Sequence, residues 1–97
     1  MTLPSIKIVL SRAEKKGACY HGLSWLREQQ GTPKEILARA VKESPRHVLW
    51  AAGKRLFVVP QATLVTCAKK EPWTALQYAA RLLPKALQRR LEASCLQ

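Results

Sequence analysis

Aspartate is absent from this chain, and the only acidic residues are six glutamates. Histidine occurs twice, phenylalanine and methionine once each. These shortages exclude much catalytic chemistry. No G-x-S-x-G, P-loop, H-E-x-x-H or paired-carboxylate pattern is present, so an enzyme is not expected. Cys19, Cys67 and Cys95 are odd in number and far apart, with no C-x-x-C among them. That spacing argues against a zinc site, and no metal or other cofactor is expected. No run approaches the roughly 20 apolar residues of a membrane span. The first residues hold no apolar stretch longer than Ile8-Val9-Leu10. A secretory leader is therefore not expected, and reduced thiols in the cytoplasm are.

What is abundant is positive charge. Seventeen Lys and Arg residues leave a net +11 on 97 residues. Such an excess favours a polyanionic partner: nucleic acid, an acidic membrane or an acidic protein face. Apolar residues make up 47%, enough for a folded core and too many for a disordered chain. The length suits one domain over residues 1–97.

Proline sets the rhythm. Pro33, Pro45, Pro60, Pro72 and Pro84 are spaced twelve to fifteen residues apart, the length of a short helix and its turn. Proline is well tolerated at the first helical position, where its missing N–H would be unpaired anyway. The expected fold is all-α, a compact bundle of six or seven short helices.

The first helix is expected over residues 4–16, with Ile6, Val9, Leu10 and Ala13 inward and Gly17 as its stop. The second spans residues 18–30, with Cys19, Leu23, Trp25 and Leu26 on its apolar side and Gly31 beyond. Thr32, Pro33 and Glu35 form a capping box for the third, whose inner face is Ile36, Leu37, Ala40 and Val41. Ser44 and Pro45 open the fourth, built on Val48, Leu49 and Trp50 and closed by Gly53. A fifth runs from Pro60 to Lys70. A sixth starts at Pro72 with Trp73, Leu76, Ala80 and Leu83 inward. Pro84 kinks it or opens a last helix carrying Leu87, Leu91 and Cys95. Residues 6–10 and 56–59 also read as a minor strand pair, which would make the class α+β.

Two constellations resemble chemistry. Cys19 and His21 are two apart, which on a helix points them about 200° away from each other, so Cys19 reads as a small core residue. His47 sits near a helix N-terminus, where the dipole disfavours protonation, and reads as a neutral boundary residue.

The binding residues come from the basic clusters. Lys54-Arg55 and Lys69-Lys70 follow or end helices, where they complement the helix dipole at about 0.3–1 kcal/mol each. Arg81, Lys85 and Arg89 are four apart and form a stripe about 160° from Leu83, Leu87 and Leu91. Arg90 extends it, and Arg46 stands at a helix start. A phosphate-tracking face and a merely solvated one both fit that stripe. A membrane-surface helix fits less well, for want of bulky aromatics. Residues 32–55 have the lengths of a helix-turn-helix, but Val48-Leu49-Trp50 leaves its second helix almost no polar face. The three tryptophans stand at apolar helical positions and read as core.

The pattern GACYHGLSWL…TPKEILARAV…SPRHVLWAAGKR resembles small helical proteins encoded in bacteriophage genomes. The shared features are an Ala-Cys, then Leu23-Ser24-Trp25-Leu26, then the step from Pro45 to Leu49-Trp50. The resemblance covers residues 17–55 and transfers no functional residue. It implies an accessory protein that acts by binding, often against a host machine or its nucleic-acid complex. The expectation is a monomeric or weakly dimeric, non-enzymatic protein that engages nucleic acid or a nucleoprotein. The alternative is an inhibitor or adaptor of a host machine that offers an acidic face.

Overall fold

The computed structural model describes residues 3–95. They form seven helices and no strand. These are α1 (Ile6–Lys15), α2 (Tyr20–Arg27), α3 (Pro33–Glu43), α4 (Pro45–Gly53), α5 (Gln61–Lys70), α6 (Pro72–Thr74) and α7 (Lys85–Cys95). Helix α6 continues as a π turn over Ala75–Ala79 and a 3-10 turn over Ala80–Leu82. The all-α class is therefore the right one. Residues 6–10 lie within α1, and residues 56–59 form a connector whose Leu56 is buried.

Local chemistry explains the helix starts. Ser5, Cys19 and Thr32 all hold ψ near 157° and accept a backbone N–H three residues on, from Ile8, Gly22 and Glu35. Ser44 was expected to do the same and does not. Its ψ is 59°, because its N–H also closes α3 on Ala40 O at 2.7 Å. One residue serves both helix ends, and the tight turn leaves its hydroxyl out of reach. The capping box also differs in detail. Glu35 Oε1 accepts from the Thr32 hydroxyl at 3.1 Å, not from the Thr32 amide.

Helix α2 ends at Arg27, three residues before the expected Gln30. Gln29 Nε2 bonds back to Trp25 O at 2.9 Å. Arg39 then clamps the turn from α3, donating to Gln29 Oε1 at 2.7 Å and Gln30 O at 2.5 Å. A tertiary contact ends this helix before its sequence does.

Helix α4 is the hub. Val48, Leu49 and Ala52 belong to a core cluster with Leu64, Cys67, Ala68, Ala75, Ala79, Leu83 and Leu91. Ala51 belongs to a second, with Val9, Ala13 and Leu56. The closest packing is between α4 and the π turn. There Ala75 and Ala79 are fully buried, and Gly53 lies against the Tyr78 carbonyl. Of the expected inner face of the sixth helix, Leu83 is buried and Leu76 packs against the core, but Trp73 does not. The π turn inserts an extra residue, so a 3.6-residue period no longer tracks one face. Trp73, which precedes the π turn, is 67% exposed, not core. Trp25 and Trp50 do pack against the core.

Gly53 is also not the left-handed stop. That position belongs to Arg55, at φ +59°. Arg55 N bonds to Ala52 O and Leu56 N to Ala51 O, closing α4 in a Schellman motif. Gly17, at φ +81°, plays this part for α1, as expected.

Candidate nucleic-acid interface

The fold gathers cations at the ends of α4. Four converge on its C-terminal end. Lys54 and Arg55 are exposed just beyond it. Arg81 Nη2 donates to Gly53 O at 3.0 Å, and Arg12 Nη1 to Leu56 O at 2.6 Å. Gly53 O ends α4 without an intrahelical donor and attracts the Arg81 guanidinium, and Arg12 holds the connector carbonyl just beyond. Residues 12, 55 and 81 are far apart in sequence and are brought together only here.

The N-terminal end of α4 lies about 13 Å away along its nine residues. Lys70 Nζ donates there to Val41 O at 3.1 Å, joining the C-terminal ends of α3 and α5. Lys42 and Lys69 are exposed beside these ends. Arg46 contributes less than expected, because its Nε lies 3.4 Å from Glu71 Oε2.

Helix α7 carries the third group. Lys85, Arg89 and Arg90 are exposed, Leu91 is buried and Leu87 packs against the core. The expected stripe is shorter than the sequence suggests. Arg81 and Leu83 precede Pro84 and lie outside α7. The stripe on this helix is Lys85 and Arg89, with Arg90 beside them. Of the nine candidates, Lys54, Arg55, Lys69, Lys70, Lys85, Arg89 and Arg90 are exposed at helix ends or on α7. Arg46 is paired with Glu71, and Arg81 lies off the α7 stripe, on Gly53 O. The spacing of the basic residues does not mark Arg12, whose carbonyl partner is 44 residues away, or Lys42.

Helix α4 cannot serve as a groove-reading helix. Val48, Leu49, Ala51 and Ala52 are all buried, so the helix is enclosed and its ends are what solvent meets.

The two histidines are also placed. His21 stacks edge-on against Tyr20, with ring centroids 6.0 Å apart. His47 meets Cys19, its Nε2 lying 3.9 Å from Sγ. Among the described residues no group of three or more His, Cys and Glu side chains could hold a metal ion. Burial first, then the Arg46 and His21 charges, hold the His47 pKa below its ordinary value. The folded protein therefore binds fewer protons at this site than the unfolded chain. Its stability contribution is complete above the ordinary histidine range and is lost as pH falls through it. Urea midpoints measured from about pH 8 to about pH 5 should drop for the native sequence. They should drop less for His47→Gln.

Comparison with family models, curated proteins and solved structures finds no match to this chain.

Arg55 adds an energetic argument to the electrostatic one. A non-glycine residue in the left-handed region costs about 1–2 kcal/mol, and glycine is the usual occupant. The chain places an exposed arginine there instead. Strain of this kind concentrates at functional positions. Arg55→Gly should leave stability unchanged or raise it by up to about 1 kcal/mol. The same change should weaken binding to a polyanion. A variant that lost stability would remove Arg55 from the site.

Proposed function

We propose that this chain is a small, non-enzymatic basic protein that binds nucleic acid, alone or in a nucleoprotein, through backbone phosphates. The observation that carries the reading is where the charge resides. No charged side chain is buried, and only two ion pairs form among the described residues, Glu14–Arg27 and Glu71–Arg46. Most of the positive excess therefore faces solvent.

The proposed contacts are Lys54 and Arg55 at the α4 corner, Lys69 at the α5 end, and Lys85, Arg89 and Arg90 on α7. Arg81 and Lys70 stand among them while holding helix carbonyls, and Arg12 while holding the Leu56 carbonyl of the connector. That double role supports rigid positioning of the basic corners. Phosphate contacts position a protein without reading sequence. The enclosed α4 and the shortage of polar recognition residues support shape and charge binding over base readout. The cytoplasm is the proposed setting, with its three free thiols reduced. No helix among the described residues is long and apolar enough to cross a membrane.

The test is a salt series against labelled duplex and single-stranded nucleic acid. Six phosphate contacts predict roughly a thousand-fold loss of affinity between about 50 and 200 mM salt. Replacing Lys85, Arg89 and Arg90 together by Ala should reduce the log–log slope by about 2–3. Absence of binding at about 50 mM salt would overturn the reading. Nuclease-resistant association with one acidic protein would favour an adaptor or inhibitor.

A further inference from the structure

The Cys19–His47 contact joins residues 28 apart in sequence, and it opens onto space. A cavity of about 570 Å³ begins at these two side chains and runs between α1, α2, α3 and α4. Its walls are mainly apolar, with Leu23, Trp25, Leu26 and Ile36 among them, and Arg46, His47 and Gln77 add polar atoms. The volume falls within the roughly 300–1,000 Å³ of small-molecule pockets. The space separates the two core clusters, being lined by Val9 and Ala13 of one and Ala40 and Val48 of the other.

The polar mouth of this cavity is built for a nucleophile. Cys19 is the N-cap of α2, and its exposed Sγ accepts from the Gly22 amide at 3.4 Å. Helix N-termini attract negative charge and present amides that lack intrahelical acceptors. Gly22 leaves room for the imidazole. A Cβ there would lie 3.3 Å from the His47 ring and 3.5 Å from Sγ. His47 Nδ1 is buried without a hydrogen-bond partner, and burial favours the neutral ring. A neutral imidazole beside a thiol is the arrangement that activates sulfur. The other two thiols have no such setting. Cys67 is fully buried, its pKa raised by desolvation, and Cys95 ends α7.

We propose that Cys19 is an acyl-acceptor site, taking an apolar acyl chain from an acyl thioester and housing that chain in the cavity. Sγ attacks the thioester carbonyl carbon while its proton passes to His47 Nε2. The new carbon–sulfur bond forms, the donor's carbon–sulfur bond breaks, and the leaving thiolate takes the proton from His47. No atom is oxidised or reduced. First-turn amides of α2 supply donors for the carbonyl oxygen in the tetrahedral intermediate. The step is a single modification of this chain and does not depend on the basic surface.

The experiment uses the full chain with octanoyl and acetyl thioesters of N-acetylcysteamine, followed by intact mass and peptide mapping. One acyl group on Cys19 is expected, with octanoyl transfer at least about ten-fold faster, because only the longer chain gains apolar burial. His47→Gln should slow transfer roughly a hundred-fold, the scale of a general base. Cys19→Ser, which keeps an N-cap hydroxyl, should abolish the adduct. Leu37→Trp at the cavity wall should remove the preference for octanoyl while sparing acetyl transfer. Equal labelling of Cys95 and Cys19 would overturn the proposal, as would equal octanoyl and acetyl rates on the native sequence. Those two readouts do not depend on any variant folding.

Discussion

Gly53→Ala is expected to unfold the protein or to remove most of its stability. An added Cβ would land on the Tyr78 carbonyl oxygen, 2.9 Å from the carbonyl carbon and 3.1 Å from Tyr78 Cβ. The obstacle is backbone, so no side-chain rotation relieves it. Relief requires α4 to move away from the π turn, and that opens the contact in which Ala75 and Ala79 are fully buried. Overpacking a close-packed core costs about 1–3 kcal/mol, and more where the neighbour cannot yield. A domain of this size has about 5–15 kcal/mol in total. Urea unfolding followed by tryptophan fluorescence should show a large fall in midpoint. Gly17→Ala is the contrasting case. Its Cβ meets nothing within 4 Å, and only the φ of +81° is strained. Its loss should be about 1–2 kcal/mol. Equal losses at the two glycines would mean that the α4–π-turn approach is not what Gly53 provides.

Leu49→Ala is expected to be nearly as damaging, for a different reason. Leu49 is fully buried at the centre of the hub helix. Removing it leaves a cavity walled by α4, α5 and the π turn. Fully buried leucines lose about 3–5 kcal/mol on truncation. That is a large share of the total, so the variant should melt far below the native sequence and expose core residues on binding a hydrophobic dye. Leu82, 36% exposed on the 3-10 turn, is the control. Its truncation should cost less than about 1 kcal/mol. Similar losses at both positions would argue that α4 is not the centre of the core.

The helices were legible because each rests on neighbours in sequence. Thr32 and Glu35 are three apart, Gly17 follows α1 directly, and Pro33, Pro45 and Pro72 sit at or beside their helix starts. Capping and periodicity act within one or two turns, so sequence spacing reports them. The errors lie elsewhere. Arg39 ends α2 from another helix, the α3–α4 turn sets the backbone of Ser44, and the sixth helix packs Ala75 and Ala79 inward and leaves Trp73 exposed. For Arg39 a partner on another helix overrides the local preference, and at Ser44 two adjoining helix ends compete for one residue.

The basic site follows the same division. Composition alone dictates the surplus of charge, since a +11 chain with six carboxylates has too few acids to neutralise itself. Which cations hold carbonyls and which face solvent depends on where helix C-termini come to rest. Arg81 is bound to Gly53 O, Arg46 to Glu71, and Arg55 to a strained backbone position that sequence assigned to Gly53. Cys19 illustrates the limit most plainly. Sequence could compare it only with His21, two residues away and on the opposite side of a helix. Its imidazole partner comes from α4, and the cavity beside it exists only because two core clusters meet α4 without filling the space between them. Helix positions and net charge are sums of local and compositional terms, which a sequence contains. Pairings across the core are set by how whole helices pack, and only the tertiary structure decides them.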